Sequence, residues 1–420
     1  RVPGKAKLTV LTSKYARPGT YGLIVTGDDG LVKHKLNLNL NLILNPEITA
    51  GIIVTPGPGP KNPASVKLIN SELKTRLEFT AFNTKYGANA VMADIDGDGY
   101  DEIIVAPGPD PKAKANVRVY RKNGSFMFEQ KIFDAKYGLT LSAADFDGDW
   151  KDEIIVGMGP DPKNPAKVKA LSFDGSRFIS TGVEFNAFKR DRKNHDDEEH
   201  TTYGANIAAG DVDGDNIPEL LVAPGAGSES PAIVKVFKVD TSSGLGLWKI
   251  SGTYSQFTAF TEHEAEGHHE RNREEDPADY GVNIAAGDID GDGISEIIVG
   301  AGPDPKNISL VKVFRGDGTF TGISFVAYPE IKEHHDHKEK DSRKEKDDEK
   351  EAGNYGVYVA VVDINGDGRD EMITGLGPGP QNSSWVRIFK CDGTLLSNGF
   401  IAFPEDTKYG VKVSTGNMGN

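Results

Sequence analysis

From about Ile48 onward, short apolar segments rich in Val and Ile alternate with clusters of Gly, Pro, Asn and Asp. Segments this short, with that punctuation, predict strands joined by tight turns and not helices. Four kinds of segment recur in a fixed order. The first follows a Tyr-Gly pair, as in Ala205 to Gly210. The second is a continuous apolar run such as Ile103 to Val105, expected to be buried on both faces. The third alternates, with Val117 and Val119 around Arg118, Val234 and Val236 around Lys235, and Val311 and Val313 around Lys312. Asn123-Gly124, Asp174-Gly175, Asp317-Gly318 and Asp392-Gly393 then match the residues of two-residue hairpins. The fourth ends in an aromatic phrase: FTAF at Phe79 and Phe257, FNAF at Phe185, FVAY at Phe325 and FIAF at Phe400.

One acidic phrase returns five times: DIDGDGYDEIIVAPGPD from Asp94, DFDGDWKDEIIVGMGPD from Asp145, DVDGDNIPELLVAPGAG from Asp211, DIDGDGISEIIVGAGPD from Asp288 and DINGDGRDEMITGLGPG from Asp363. A Tyr-Gly pair precedes each, at Tyr86, Tyr137, Tyr203, Tyr280 and Tyr355, and a sixth at Tyr409 opens a segment that stops where its acidic loop is due. The missing half stands near the start, in GIIVTPGPGPKNPASVKLI from Gly51 to Ile69. Four antiparallel strands per unit of about 50 residues describe a propeller blade, and six units close a ring. The chain is therefore expected to be all-β, with residues 46–420 forming a six-bladed β-propeller. Pairing of Val411 to Gly416 with strands beginning at Ile52 would latch the ring and remove the open seam. A linear β-solenoid would call for distinct capping repeats and not complementary halves.

Charge and cysteine usage narrow the function. With 48 Lys and Arg against 63 Asp and Glu, a net charge of −15 argues against a phosphate-binding surface, so no nucleic-acid partner is expected. Cys391 stands alone, which excludes an intrachain disulfide and a cysteine-based zinc cluster. No apolar run reaches the roughly 20 residues of a membrane span. The start at Arg1 lacks a signal-peptide pattern and reads as an already processed chain.

Within each acidic phrase carboxylates fall at positions 1, 3, 5 and 9: Asp94, Asp96, Asp98 and Glu102; Asp145, Asp147, Asp149 and Glu153; Asp211, Asp213, Asp215 and Glu219; Asp288, Asp290, Asp292 and Glu296. The fifth carries one amide, as Asp363, Asn365, Asp367 and Glu371. Oxygen donors at alternating positions of a tight turn, with Gly at position 4, suit a hard cation of calcium's size, and the carbonyl at position 7 (Tyr100, Lys151, Ile217, Ile294, Arg369) would add another ligand. Five Ca²⁺ sites are expected, and they would offset most of the acidic excess. Flanking strands and the absence of a twelfth-position glutamate exclude a helical EF-hand. Magnesium's octahedral demand is poorly met by so many protein oxygens.

These phrases, DIDGDGYDE and DIDGDGISE followed by IIV and a Gly-Pro turn, resemble the FG-GAP repeats of integrin-α-like proteins, also called VCBS repeats, especially of the secreted microbial kind. The resemblance covers about Ile48 to Asn420. It implies a β-propeller whose loops between the first two strands of a blade each hold calcium. Asn417 and Gly419 stand where the split blade would need carboxylates, so no sixth site is expected. Trp150 and Asn216 replace the position-6 glycine of the pattern.

Three insertions, Lys189 to Thr202, Thr261 to Asp279 and Glu330 to Asn354, hold His195, His200, His263, His268, His269, His334, His335 and His337. Strand alternation puts them on the face opposite the acidic loops, beside Pro-Gly loops such as Pro56 to Pro60, and that face is the expected surface for a protein or glycan ligand. The mixed-sign runs read as solvated loops, although His beside carboxylate also suits a transition metal. In residues 1–45, Leu8 to Leu11, Tyr21 to Thr26 and Leu36 to Asn45 predict three antiparallel strands, and PGTYGLIVTGDDG resembles the end of a bacterial immunoglobulin-like sandwich. Half a sandwich exposes an edge and an apolar face, so self-association through residues 1–45 is an expected outcome. No nucleophile elbow, phosphate loop or zinc-protease motif is present in the sequence. The sequence reading is a non-enzymatic, extracellular, calcium-binding propeller acting as a structural or adhesive surface module, with a filament subunit as one form of it. The alternative is a carbohydrate-binding, lectin-like or accessory domain of a secreted hydrolase.

Overall fold

The computed structural model describes residues 19–28, 33–42, 50–188, 203–242, 247–261, 264–265, 278–329 and 354–418. Six four-stranded antiparallel sheets account for the repeats. Blade 1 joins residues 50–82 to 411–417; blades 2 to 6 follow as residues 88–136, 139–186, 205–258, 282–326 and 357–401. The innermost strand of each blade lies beside those of both neighbours, and the circuit returns from Val411–Asn417 to Ala88–Ala93. The ring is closed. Val411–Asn417 pairs antiparallel with Ala50–Pro56, from Val411 opposite Pro56 to Asn417 opposite Ala50, so the two ends of the chain share one sheet.

Packing follows from the segment types. The second strands are inaccessible on both faces: Ile103, Ile104 and Val105 are 0% exposed, as are the valines of the alternating third strands. Six apolar clusters form, one at each junction between adjacent blades. The polar partner in each alternating strand has its own role. Arg118 lies over Phe82, Lys169 over Phe133, Lys235 over Phe188, Lys312 over Phe260, Arg387 over Tyr328 and Lys67 over Phe403, each cation reaching an aromatic ring at the end of the preceding blade, which in five of the six belongs to the aromatic phrase. This cation–π contact, worth about 0.5–2 kcal/mol depending on desolvation, explains why the third strand alternates Val with Lys or Arg.

Three of the four outer hairpins read from the sequence differ from the expected two-residue form, while at Asp174-Gly175 the Asp174 N–H donates to the Arg177 carbonyl at 3.0 Å and closes a two-residue loop. Gly124 donates to the Arg121 carbonyl while Arg121 donates to Ser125, and Gly318 and Gly393 repeat the arrangement. These are three-residue loops with a left-handed glycine at the end, a turn followed by a bulge. The extra residue lets the strongly twisted outer strands diverge.

Near the N-terminus, Gly19–Asp28 and Lys33–Leu42 form a separate two-stranded sheet, with Val25 opposite Leu36 and Leu23 opposite Leu38. The alternating Leu-Asn run thus sets its leucines on one face, where Val25, Leu36 and Leu38 are exposed. The strand expected at Leu8 to Leu11 lies outside the described residues, as do all eight histidines of the insertions. No helix among the described residues is long and apolar enough to cross a membrane.

Candidate metal centres

Each acidic loop runs from the end of a blade's innermost strand to the start of its second strand, so all five sit on one rim of the ring. Left-handed backbone shapes the turn. Gly97 and Gly99 have φ of 79° and 88°, and the position-6 residues Trp150 and Asn216 adopt 73° and 66° where glycine was expected. They keep the bond that glycine makes, because the loop supplies the compensation: Trp150 N–H donates to Asp145 Oδ2 at 3.1 Å and Asn216 N–H to Asp211 Oδ2 at 2.9 Å, as Gly99 does to Asp94.

The carboxylates are fixed by backbone donors. Asp94 Oδ1 accepts from Gly97 N–H at 2.8 Å, and Asp145, Asp211, Asp288 and Asp363 accept equivalently from Gly148, Gly214, Gly291 and Gly366. The position-9 glutamate rises from the second strand and accepts the position-2 N–H: Phe146 to Glu153 at 3.2 Å, Val212 to Glu219 at 3.0 Å, Ile289 to Glu296 at 3.2 Å and Ile364 to Glu371 at 3.1 Å. Oxygens of positions 1, 3 and 9 are thereby brought within 4.8 Å of one another in four loops: Asp94, Asp96 and Glu102; Asp145, Asp147 and Glu153; Asp211, Asp213 and Glu219; Asp288, Asp290 and Glu296. Position 5 stands outside these groups. Asp98, Asp149, Asp215, Asp292 and Asp367 accept instead from the N–H of Tyr100, Lys151, Ile217, Ile294 and Arg369, tying position 7 onto the loop.

Electrostatics mark the same places. Burial, reinforced by the neighbouring aspartates, pushes Glu102 up to about 8 and Glu153 up to about 9. Burial likewise raises Glu219 and Glu296 to about 7. Glu102 Oε2 is buried with no hydrogen-bond partner. A desolvated carboxylate oxygen without a donor, beside other carboxylates, is the environment that a cation relieves, so the residues present fit a hard divalent ion. Four of these clusters can hold a metal ion.

Two loops depart from this arrangement. Lys238, from the third strand of blade 4, ion-pairs with Asp213 and reaches Asp215 at 3.1 Å, placing an ammonium in the loop begun by Asp211. In the last loop the Asn365 amide donates to Glu371 Oε1 at 2.6 Å.

Position 8 is a feature that spacing alone did not single out. Asp152 Oδ2 accepts from Asp94 N–H at 3.0 Å while its own N–H donates to the Asp94 carbonyl at 2.7 Å. Asp370 makes the same pair of bonds with Asp288, and Asp101 accepts from Asn417 N–H at 2.6 Å. Each clasp joins one acidic loop to the start of the preceding blade's loop, or to the strand end that replaces it, and so ties the rim at the junctions of blades 1 and 2, 2 and 3, and 5 and 6. The recurrence of acid at Asp101, Asp152 and Asp370 was a signal, but its partner lies in the neighbouring repeat.

Comparison with known proteins assigns the repeats. Residues 79–156, which contain the first two acidic loops, match the FG-GAP-like repeat family, and residues 280–319, which contain the fourth, match the FG-GAP repeat family. The two matched stretches, in blades 2 and 3 and in blade 5, are thus repeats of the FG-GAP type. Integrin alpha-PS2 of Drosophila melanogaster is 24% identical over 189 residues, 44% of this chain; the aligned part spans 12% of that protein's length. Among solved structures, the Bacillus licheniformis rhamnogalacturonan lyase PL11 superposes with a TM-score of 0.40 at 13% identity, covering 90% of this chain and 68% of the lyase. The Dos1 propeller gives 0.36 at 12% identity, covering 82% and 68%.

Proposed function

We propose that this FG-GAP propeller binds calcium at its acidic rim and serves as a non-enzymatic extracellular module for adhesion or surface structure. The observation that carries the reading is the set of four buried-glutamate triads, each with ligand oxygens within 4.8 Å. The fifth loop joins them once the Asn365 amide turns its oxygen inward. Calcium would supply the positive charge that holds these carboxylates ionised. Exposed loop tips of this kind suit affinities of about 10⁻⁴–10⁻³ M, the range of extracellular calcium modules. Equilibrium dialysis with radiolabelled calcium should give about five ions per chain, and the double variant Asp145→Asn, Glu153→Gln should lose one. A wild-type chain that takes up none, or a variant that loses none, rules the reading out.

A protein or glycan ligand is proposed on the opposite face, which leaves the rim to the ions. The N-terminal sheet supports self-association, because its leucine face has no cover among the described residues near Val25, Leu36 and Leu38. Size-exclusion chromatography across a range of concentrations should show assembly that Leu36→Asp with Leu38→Asp abolishes; a monomer at every concentration removes the proposal.

A further inference from the structure

The inner wall of the ring carries a second polar feature, distinct from the acidic rim. Three residues after each Tyr of the Tyr-Gly pairs stand Asn89, Thr140, Asn206, Asn283, Tyr358 and Lys412, and all six line the central cavity of about 260 Å³. They form one ring near the Pro-Gly-loop end of the channel, since Lys412 pairs with Thr55 one step from the strand end at Pro56. Four of the six are spent on closing the fold. Asn89 donates to the Leu139 carbonyl at 2.5 Å, Thr140 to Ala205 at 2.6 Å, Asn206 to Val282 at 2.7 Å and Asn283 to Val357 at 2.8 Å, each reaching the next innermost strand.

Tyr358 and Lys412 break the series. The Tyr358 hydroxyl makes no hydrogen bond among the described residues. Lys412 Nζ donates to Asn89 Oδ1 at 2.5 Å and lies 5.7 Å from the centre of the Tyr358 ring, and it has no carboxylate partner among the described residues. Burial holds this ammonium down to about 8. A cation in the channel wall with no counter-charge beside it is unbalanced, and an ammonium has three donors, of which the Asn89 amide takes one. In a chain of net charge −15, one lysine turned into a channel without an acid beside it is not a solvated surface charge.

We propose that this end of the channel is a binding site for a small organic carboxylate of about sugar-acid size, held between the Lys412 ammonium and the Tyr358 hydroxyl. A single cation balances a single negative charge, which favours a carboxylate over a phosphate dianion. The two carboxylate oxygens can accept one bond each from the two donors. Neither donor touches the acidic loops, which sit at the other end of the strands, so the site stands apart from the calcium reading.

Isothermal titration of the full chain in millimolar calcium tests it, with glucuronate and gluconate as ligands and glucose and inorganic phosphate as controls. Saturable binding of a carboxylate at one site per chain, with no uptake of glucose, is expected. Lys412→Met should weaken it by about tenfold or more, the scale of a lost charge-assisted hydrogen bond. Tyr358→Phe, which deletes one oxygen and leaves the wall in place, should weaken it severalfold and carries the test should Lys412→Met not fold. The proposal is overturned if neither carboxylate binds, if the variants bind as the wild type does, or if glucose or phosphate binds as tightly.

Discussion

Moving the protein from about 1 mM calcium into excess chelator is expected to lower its melting midpoint by about 3–9 °C. At about 1 mM calcium and a Kd of about 10⁻⁴–10⁻³ M, each site stabilises the folded state by about 0.4–1.4 kcal/mol, so the five proposed sites contribute roughly 2–7 kcal/mol. Spread over the unfolding entropy of a domain this large, that is a shift of the stated size. The shift should also depend on pH. Without a cation, Glu153 in the folded chain titrates at about 9 against an ordinary value of 4.5, and Glu102 at about 8. The folded state then keeps protons that the unfolded state has released. That contribution is fully present below the ordinary glutamate value and is lost as pH rises through the raised values. Chelated protein should therefore melt higher at pH 5.5 than at pH 8.5, and the gain from calcium should grow over the same interval as binding expels those protons. Glu184, held below the usual range by Lys167 and Lys169, titrates at lower pH and does not mask the trend. Differential scanning calorimetry with and without calcium at the two pH values measures both effects. A midpoint indifferent to chelator at pH 8.5 would falsify the stabilising role of the ions.

Ending the chain at Gly410 is expected to abolish the cooperative folding of the propeller. The lost strand pairs with Ala50–Pro56 along its whole length and closes the circuit of innermost strands. Ile52 and Val54, both 0% exposed, would lose part of their cover, and the freed edge would offer its backbone groups to other chains. With each ladder hydrogen bond worth about 1 kcal/mol net and further apolar burial lost, the cost is comparable to the roughly 5–15 kcal/mol that holds a typical domain folded. Aggregation, or a broad melting transition with rapid proteolysis, is the expected readout in limited trypsin digestion. A sharp transition within a few degrees of the full-length chain would show that ring closure does not depend on the latch.

The blade and the loops were legible because both are local and repeated. Val-Lys-Val alternation marks a strand buried on one side wherever it occurs, and Asp-x-Asp-Gly-Asp sets donors by spacing along a single turn, so each copy restates the same evidence. The complementary halves at Gly51 and Tyr409 likewise pointed to closure without coordinates. Three of the outer turns have one residue more than the sequence predicts, since Asn-Gly or Asp-Gly serves both a two-residue turn and a three-residue loop, and the register of the flanking strands selects between them. In the acidic loops, the sequence could not separate position 5, which tethers the loop through Tyr100, Lys151 and their equivalents, from positions 1, 3 and 9, whose oxygens converge.

Composition, strand pattern, ring closure and the chemistry of the acidic rim were thus determined by the amino-acid order itself, because each arises from neighbours in the chain or from exact repetition. The tertiary structure alone decided which blade reaches which. Arg118 over Phe82, Asp152 on Asp94, Lys238 among the aspartates of its loop, and Lys412 beside Tyr358 in the channel each join residues distant in sequence. Their contact is set by the twist and spacing of packed sheets, which no local pattern encodes.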